Sequence, residues 1–271
     1  MPSSYTYKPF PFFLITFLIT WGSGFTGAYL SHQNGTEFFQ LGLILLGMIG
    51  PFISAIVMIY GSKNSELVRD FWDRLSVFKV QPKLLLFILL VMPCVLFLAT
   101  SVSLLFGQPL DQFQLANQFM ILQGQNMLSL GIMVLAPLME ELGWRGYGVD
   151  SLRSRFNLFK TSLFFGVLWA LWHIPLFFIQ GYYQNVLWNT SLIYVANFFI
   201  SIFPAALLIN WIYYRNNRSI IAAFLMHLMF NIFSVLFQTE QFTKCIVTIL
   251  LLVVSVAIIA IDKKHFFKES F

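Results

Sequence analysis

Residues 84–106 read LLLFILLVMPCVLFLATSVSLLF, 23 positions without a single charge. At 1.5 Å of rise per residue a helix of this length reaches about 34 Å, enough to cross the ~30 Å hydrocarbon core of a bilayer. Working outward, seven further stretches at about 9–30, 39–60, 127–146, 161–179, 192–214, 219–237 and 245–261 meet the same requirement of roughly 20 apolar residues. The expected fold is therefore all-α: a polytopic membrane protein with about eight transmembrane helices. Composition agrees, because 58% of the 271 residues are hydrophobic and 10% charged, with a mean hydropathy of +0.77. A soluble globule of this size could not hide so much apolar surface. With no internal repeat, low-complexity tract or long linker, residues 1–271 are expected to form a single transmembrane domain.

The net charge of +5 does not point to nucleic acid, because the basic residues flank apolar spans. Lys63, Arg69, Arg74, Lys79 and Lys83 lie between the second and third spans, Arg153, Arg155 and Lys160 between the fourth and fifth, and Arg215 and Arg218 between the sixth and seventh. Lys8 precedes the first span, and Lys263, Lys264 and Lys268 follow the last. The alternate loops at 31–38, 107–126, 180–191 and 238–244 hold only Lys244. By the positive-inside rule both termini are expected in the cytoplasm. The first span is too long for a signal-peptide core and is expected to stay. The 32 Phe and 7 Trp suit lipid contact and interfacial belts. Cys94 and Cys245 sit in apolar runs as small buried hydrophobes, with neither a zinc spacing nor a disulfide framework. Leu67, Val68, Phe71, Trp72 and Leu75 recur at helical spacing opposite Arg69, Asp70, Asp73 and Arg74, after Asn64 or Ser65 as a plausible N-cap. This predicts an amphipathic helix lying on the cytoplasmic leaflet.

Three spans carry residues that hydrocarbon should exclude, a central charge costing about 2.5–3.5 kcal/mol on insertion scales. In Ala136-Pro137-Leu138-Met139-Glu140-Glu141-Leu142-Gly143-Trp144-Arg145 the adjacent glutamates point about 100° apart. Glu141 and Arg145, one turn apart, can pair, which frees Glu140 to face a cavity. Pro137 suits a helix bent around a polar pocket. In the fifth span Phe165, Trp169 and His173 share a face, and in the seventh His227 and Asn231 share a stripe. Trp169, Trp172 and Phe165 are candidates for the wall of a substrate pocket. Counting rise from the nearest basic-side marker, Glu140 lies roughly 15 Å deep, His173 and Asn231 about 20 Å and His227 about 13 Å. One layer of the membrane thus gathers a carboxylate, two imidazoles and an amide.

Such a set can hydrolyse an amide: a desolvated carboxylate with an imidazole polarises water, and His and Asn donors stabilise the oxygen that becomes anionic. No G-x-S-x-G nucleophile elbow occurs. The strings Glu140-Glu141-x-x-x-Arg145, Phe165-x-x-x-Trp169-x-x-x-His173 and His227-x-x-x-Asn231, in this order over about 127–237, resemble the signature of the CAAX prenyl protease and bacteriocin-processing (Abi) family. The resemblance implies a type II, Ras-converting, intramembrane glutamate endopeptidase that removes the last three residues after a prenylated cysteine. By motif it implies that Glu140 and His173 activate water, that His227 and Asn231 form the oxyanion hole, and that Glu141 and Arg145 support them. It implies no metal or other cofactor, a prenylated protein or peptide as substrate within membrane lipid, and a site reached from the cytoplasmic side. Two other readings fit the residues. Glu140, His173 and His227 could be three zinc ligands with water in the fourth position, although H-E-x-x-H is absent. A proton-coupled transporter or non-catalytic scaffold could use the same groups as a relay or clamp.

Overall fold

The computed structural model describes residues 5–116 and 124–269, with side chains from 131 onward in the second part. Residues 117–123, within the long 107–126 loop read from the sequence, lie outside the described residues.

The chain forms α1 (Pro9–Leu30), α2 (Glu37–Gly61), α3 (Ser65–Asp73), α4 (Pro82–Leu104), α5 (Gly124–Gly143), α6 (Val149–Arg153), α7 (Leu158–Trp172), α8 (Tyr183–Thr190), α9 (Leu192–Arg215), α10 (Ile220–Val235), α11 (Gln241–Ile261) and α12 (Lys263–Phe267). Their starts follow local chemistry. Pro9 and Pro82 occupy first-turn positions that lack a helical N–H partner in any case. Asn157 accepts from the Lys160 N–H and Ser219 from the Ala222 N–H, capping α7 and α10.

Six of the described segments are long and apolar enough to span a membrane: Pro9–Leu30, Glu37–Gly61, Pro82–Leu104, Leu158–Phe178, Leu192–Arg215 and Gln241–Ile261. The other two of the eight expected spans are also helices, α5 and the shorter α10. They are the two that carry Glu140, Glu141, His227 and Asn231. Helix α10 is apolar but only 16 residues long. Phe10, Leu18, Leu86, Leu98 and Val253 stand exposed on the outside of the bundle, as helices solvated by lipid require. Together these features describe a multi-pass integral membrane protein.

Inside, Phe12, Trp144, Tyr147, Phe165, Ile209 and Tyr213 are fully buried. The Thr20 hydroxyl on α1 donates to the Gly47 carbonyl of α2 at 2.8 Å, a small-residue contact of the kind that lets membrane helices approach closely. Gly143, at the end of α5, is the tightest crossing: a Cβ there would lie 2.3 Å from the Pro51 carbonyl carbon of α2. Backbone cannot rotate away as a side chain can. Gly143→Ala should therefore push α5 from α2 and lower stability by about 1–3 kcal/mol, read as an earlier thermal unfolding midpoint in detergent.

Three expectations need correcting. First, α3 forms, capped by Asn64 accepting from the Leu67 N–H at 2.9 Å, but its faces divide differently. Leu67 and Phe71 are buried and Trp72 is exposed, whereas Arg74 at its C-terminus is buried against the bundle and pairs with Asp150 at 2.9 Å. Periodicity reports where apolar residues fall and cannot report that a cation has found a buried partner. Second, the fifth span is not one continuous helix: α7 stops at Trp172, and Ile174–Phe178 continues as a 3₁₀ turn around Pro175. Proline disfavours helix at the residue before it and removes a donor. Third, Cys94 is exposed on the bundle surface, Cys245 is half-buried, and both are free thiols.

Candidate active site

α5 ends in a feature not visible in its periodicity, a π-helical turn over Trp144–Gly148. Wider i→i+5 winding redirects side chains and often marks functional sites. Here it sets Trp144 and Arg145 beneath the two glutamates. The Glu140 Oε2 accepts from the indole N–H of Trp169 at 2.9 Å and from that of Trp144 at 3.3 Å. Two neutral donors orient the carboxylate without neutralising it.

Glu141 faces elsewhere, as the 100° offset requires. Arg145 Nη1 donates to its two oxygens at 2.7 and 2.8 Å, and both residues are fully buried. The His227 Nδ1 lies 2.9 Å from Glu141 Oε1, so a carboxylate that can only accept fixes the hydrogen on Nδ1. Arg145 is held further by Asn210, whose Oδ1 accepts from Nε and Nη2 at 3.2 and 3.0 Å, and its guanidinium stacks 4.8 Å over the Phe165 ring. Asn210 in turn donates to Ser162 at 3.0 Å. An unassigned Asn within the apolar run of α9 was the signal that could have revealed it.

His173 caps α7. Its Nδ1 is 2.7 Å from the Trp169 carbonyl, so Nδ1 carries the hydrogen and Nε2 of the neutral ring keeps its lone pair. Trp172 and Phe198 pack edge-on against the ring at centroid distances of 4.8 and 5.4 Å.

Glu140, His173, His227 and Asn231 all line one cavity of about 630 Å³, together with Trp169 and Trp172. Helices α5, α7 and α10 thus bring the four predicted polar residues together. Glu141, Arg145 and Phe165 do not line it: the first two form the ion pair behind His227, and Phe165 packs behind Trp169 under Arg145. Phe165 is therefore part of the support, not of the wall. Among the described residues no three His, Cys, Asp or Glu side chains group as ligands for a metal ion.

The cavity extends from Glu140 between Leu41 and Met48 of α2 and Ile132 and Ala136 of α5, and toward Tyr182, Tyr183, Thr239 and Lys244 at the end of the bundle poor in basic residues. The opposite, basic end is closed. There Arg74 donates to Asp150 at 2.9 Å and to the Arg145 and Gly146 carbonyls of the π turn at 2.7 and 2.9 Å. Arg218 bridges Asp150 and Asp70, and Tyr214 donates to Asp150 at 2.8 Å. Burial pushes the Asp150 carboxyl up, but the Arg218 and Arg74 guanidiniums outweigh it and hold the group below its ordinary value. The described lining of the cavity thus runs toward the end of the bundle opposite the termini.

With this geometry in view, comparison with known proteins is specific. Residues 123–233, which contain all four cavity residues, match the family described as type II CAAX prenyl endopeptidase Rce1-like. Over 270 residues, 99% of each chain, the sequence is 42% identical to CAAX prenyl protease 2 of Methanococcus maripaludis. The chain belongs to the Rce1-like family of type II CAAX prenyl endopeptidases, a family of membrane proteases.

Proposed function

We propose that this protein is a metal-independent intramembrane endopeptidase that cuts a prenylated CAAX protein after its modified cysteine and releases the C-terminal tripeptide. The observation that carries this reading is the convergence of Glu140, His173, His227 and Asn231 on one cavity at membrane depth, with Glu140 oriented by two indoles. Water between Glu140 and the His173 Nε2 gives up a proton to Glu140 as its oxygen attacks the scissile carbonyl carbon. The resulting oxyanion is held by the Asn231 amide and the His227 Nε2. Because the Nδ1–H of His227 is already bonded to Glu141, donation from Nε2 needs the imidazolium form. Glu141 balances that charge, and Arg145 fixes Glu141. As the C–N bond breaks, Glu140 returns the proton to the leaving amine. The isoprenoid lies along the apolar α2 and α5 walls, and lipid is its neighbour.

The test is product analysis with the purified protein. A farnesylated CAAX peptide should give one cut, after the cysteine, and the same peptide without its lipid should be cut at least 10-fold more slowly. Equal turnover of both would remove the prenyl group from the proposed specificity.

Sidedness is also a proposal. A folded prenylated protein stays in the cytoplasm, so the mouth of the cavity is proposed to open there. The sequence expectation joins this to cytoplasmic termini, whereas a cavity lining that runs toward Tyr183 and Lys244, at the end away from the termini, favours the opposite placement of the ends. Folded domains do not cross a bilayer to be cut, whereas charge bias is a preference of insertion, so access takes precedence. In a cysteine-free background, Lys264→Cys should react with an impermeant maleimide on intact cells and Asn189→Cys, beside the mouth, should not. The reverse pattern would restore cytoplasmic termini.

A further inference from the structure

The end of the cavity farthest from Glu140 holds a polar group that the cleavage chemistry does not use. Lys244, in the first turn of α11, is the one lysine or arginine among the described residues lining the cavity. No carboxylate among the described residues lies within ion-pair distance of it, and Glu240, one turn earlier, acts on it only through space; its Nζ reaches the Tyr183 hydroxyl at 3.5 Å and the Tyr183 ring face at 4.8 Å. The same cavity is lined by two residues with buried polar atoms that have no hydrogen-bond partner, Thr239 through Oγ1 and Gln184, next in the chain to Tyr183, through Oε1. Gln184 is only 7% exposed. Buried polar groups in folded proteins are nearly always satisfied, so two orphans in the cavity that Lys244 also lines mark a place where a ligand completes the set.

We propose that Lys244, Thr239 and Gln184 form the receptor for the free C-terminal carboxylate of the peptide substrate. The inference rests on the endopeptidase reading above and adds what measures the tripeptide. The Lys244 ammonium and Thr239 hydroxyl donate to the carboxylate oxygens, and Gln184 Oε1 accepts the N–H of the terminal residue. Spacing supports the assignment. His227 lies two turns short of the end of α10 at Val235, and Lys244 lies one turn into α11, which starts at Gln241. Taking the facing ends of α10 and α11 as level, helical rise offsets the two by about 8 Å along the bundle. Three extended residues span about 10 Å, so a chain anchored at Lys244 lays its third peptide bond from the end at the level of the catalytic layer. An anchor at this distance sets which bond is cut.

The experiment compares a farnesylated CAAX peptide ending in a free acid with its C-terminal amide, on the wild type, Lys244→Met and Lys244→Arg. A charge-assisted hydrogen bond is worth enough to change kcat/KM by roughly 10- to 100-fold. The wild type should prefer the acid by that factor, mainly through KM. Lys244→Met should lose the preference, cutting acid and amide with the same kcat/KM, and Lys244→Arg should recover much of it. A preference for the acid that survives in Lys244→Met, or a wild type indifferent to amidation, would overturn the proposal. Binding of the product tripeptide, as acid and as amide, is measured in parallel by calorimetry. If the wild type cleaves neither peptide, the endopeptidase reading fails, and binding still decides the anchor: acid-selective binding abolished by Lys244→Met supports it, and equal binding of acid and amide refutes it.

Discussion

Glu140→Gln should fold, extract and melt like the wild type and yet cleave a farnesylated CAAX peptide at least 10³-fold more slowly. The substitution keeps the volume and keeps an oxygen for the Trp144 and Trp169 indoles, which donate at 3.3 and 2.9 Å. What it removes is the basic oxygen proposed to take the proton from water. General base catalysis alone contributes about 10²–10⁴-fold, and Glu140 would serve twice, first as base and then as acid toward the leaving amine. The loss should fall on kcat, because the walls that hold the lipid and the peptide are unchanged. Turnover within 10-fold of the wild type would remove Glu140 from the chemistry.

The second large effect lies outside the cavity. Asp150→Ala should destabilise the protein by about 1.5–3 kcal/mol, since it removes charge-assisted hydrogen bonds to Arg74 and Arg218 and leaves Asp70, which is partly exposed, as their remaining shared counter-ion. The same network holds the π turn by its Arg145 and Gly146 carbonyls, so Trp144 and Arg145 would lose their footing and activity should fall with stability. A pH dependence follows from the same carboxylate. Its folded-state pKa is depressed, so the stabilisation is complete above the ordinary aspartate value, near pH 4, and is lost as pH falls through the lower folded value. Thermal unfolding in detergent between pH 3 and 7 checks both statements: the wild-type midpoint should drop below about pH 4, and that of Asp150→Ala should be lower throughout and drop less.

Much of this site could be read from the chain because intramembrane polar residues are few and helix geometry is regular. The separation of Glu140 from Glu141, and the pairing of Glu141 with Arg145, follow from 100° per residue alone. The gathering of Glu140, His173, His227 and Asn231 follows from depth. Three things did not follow. The π turn at Trp144–Gly148 depends on carbonyls being met from another element, by Arg74 some 70 positions away in the chain, which no local pattern encodes. Arg74 reads as a charge on the polar face of its helix because its partner Asp150 is distant in the chain. The position of the mouth also stayed hidden: path length along a helix gives depth, but which end of the bundle is sealed depends on the packing of Arg74, Asp150 and Arg218.

The central claim is that a glutamate, not a bound metal, activates the water. The most direct measurement is the rate of tripeptide release from a farnesylated CAAX peptide by the purified wild type, before and after prolonged incubation with excess chelator. An unchanged rate is the predicted result. Loss of activity on chelation, restored by added zinc, would contradict the account and turn Glu140, His173 and His227 from base and donors into metal ligands.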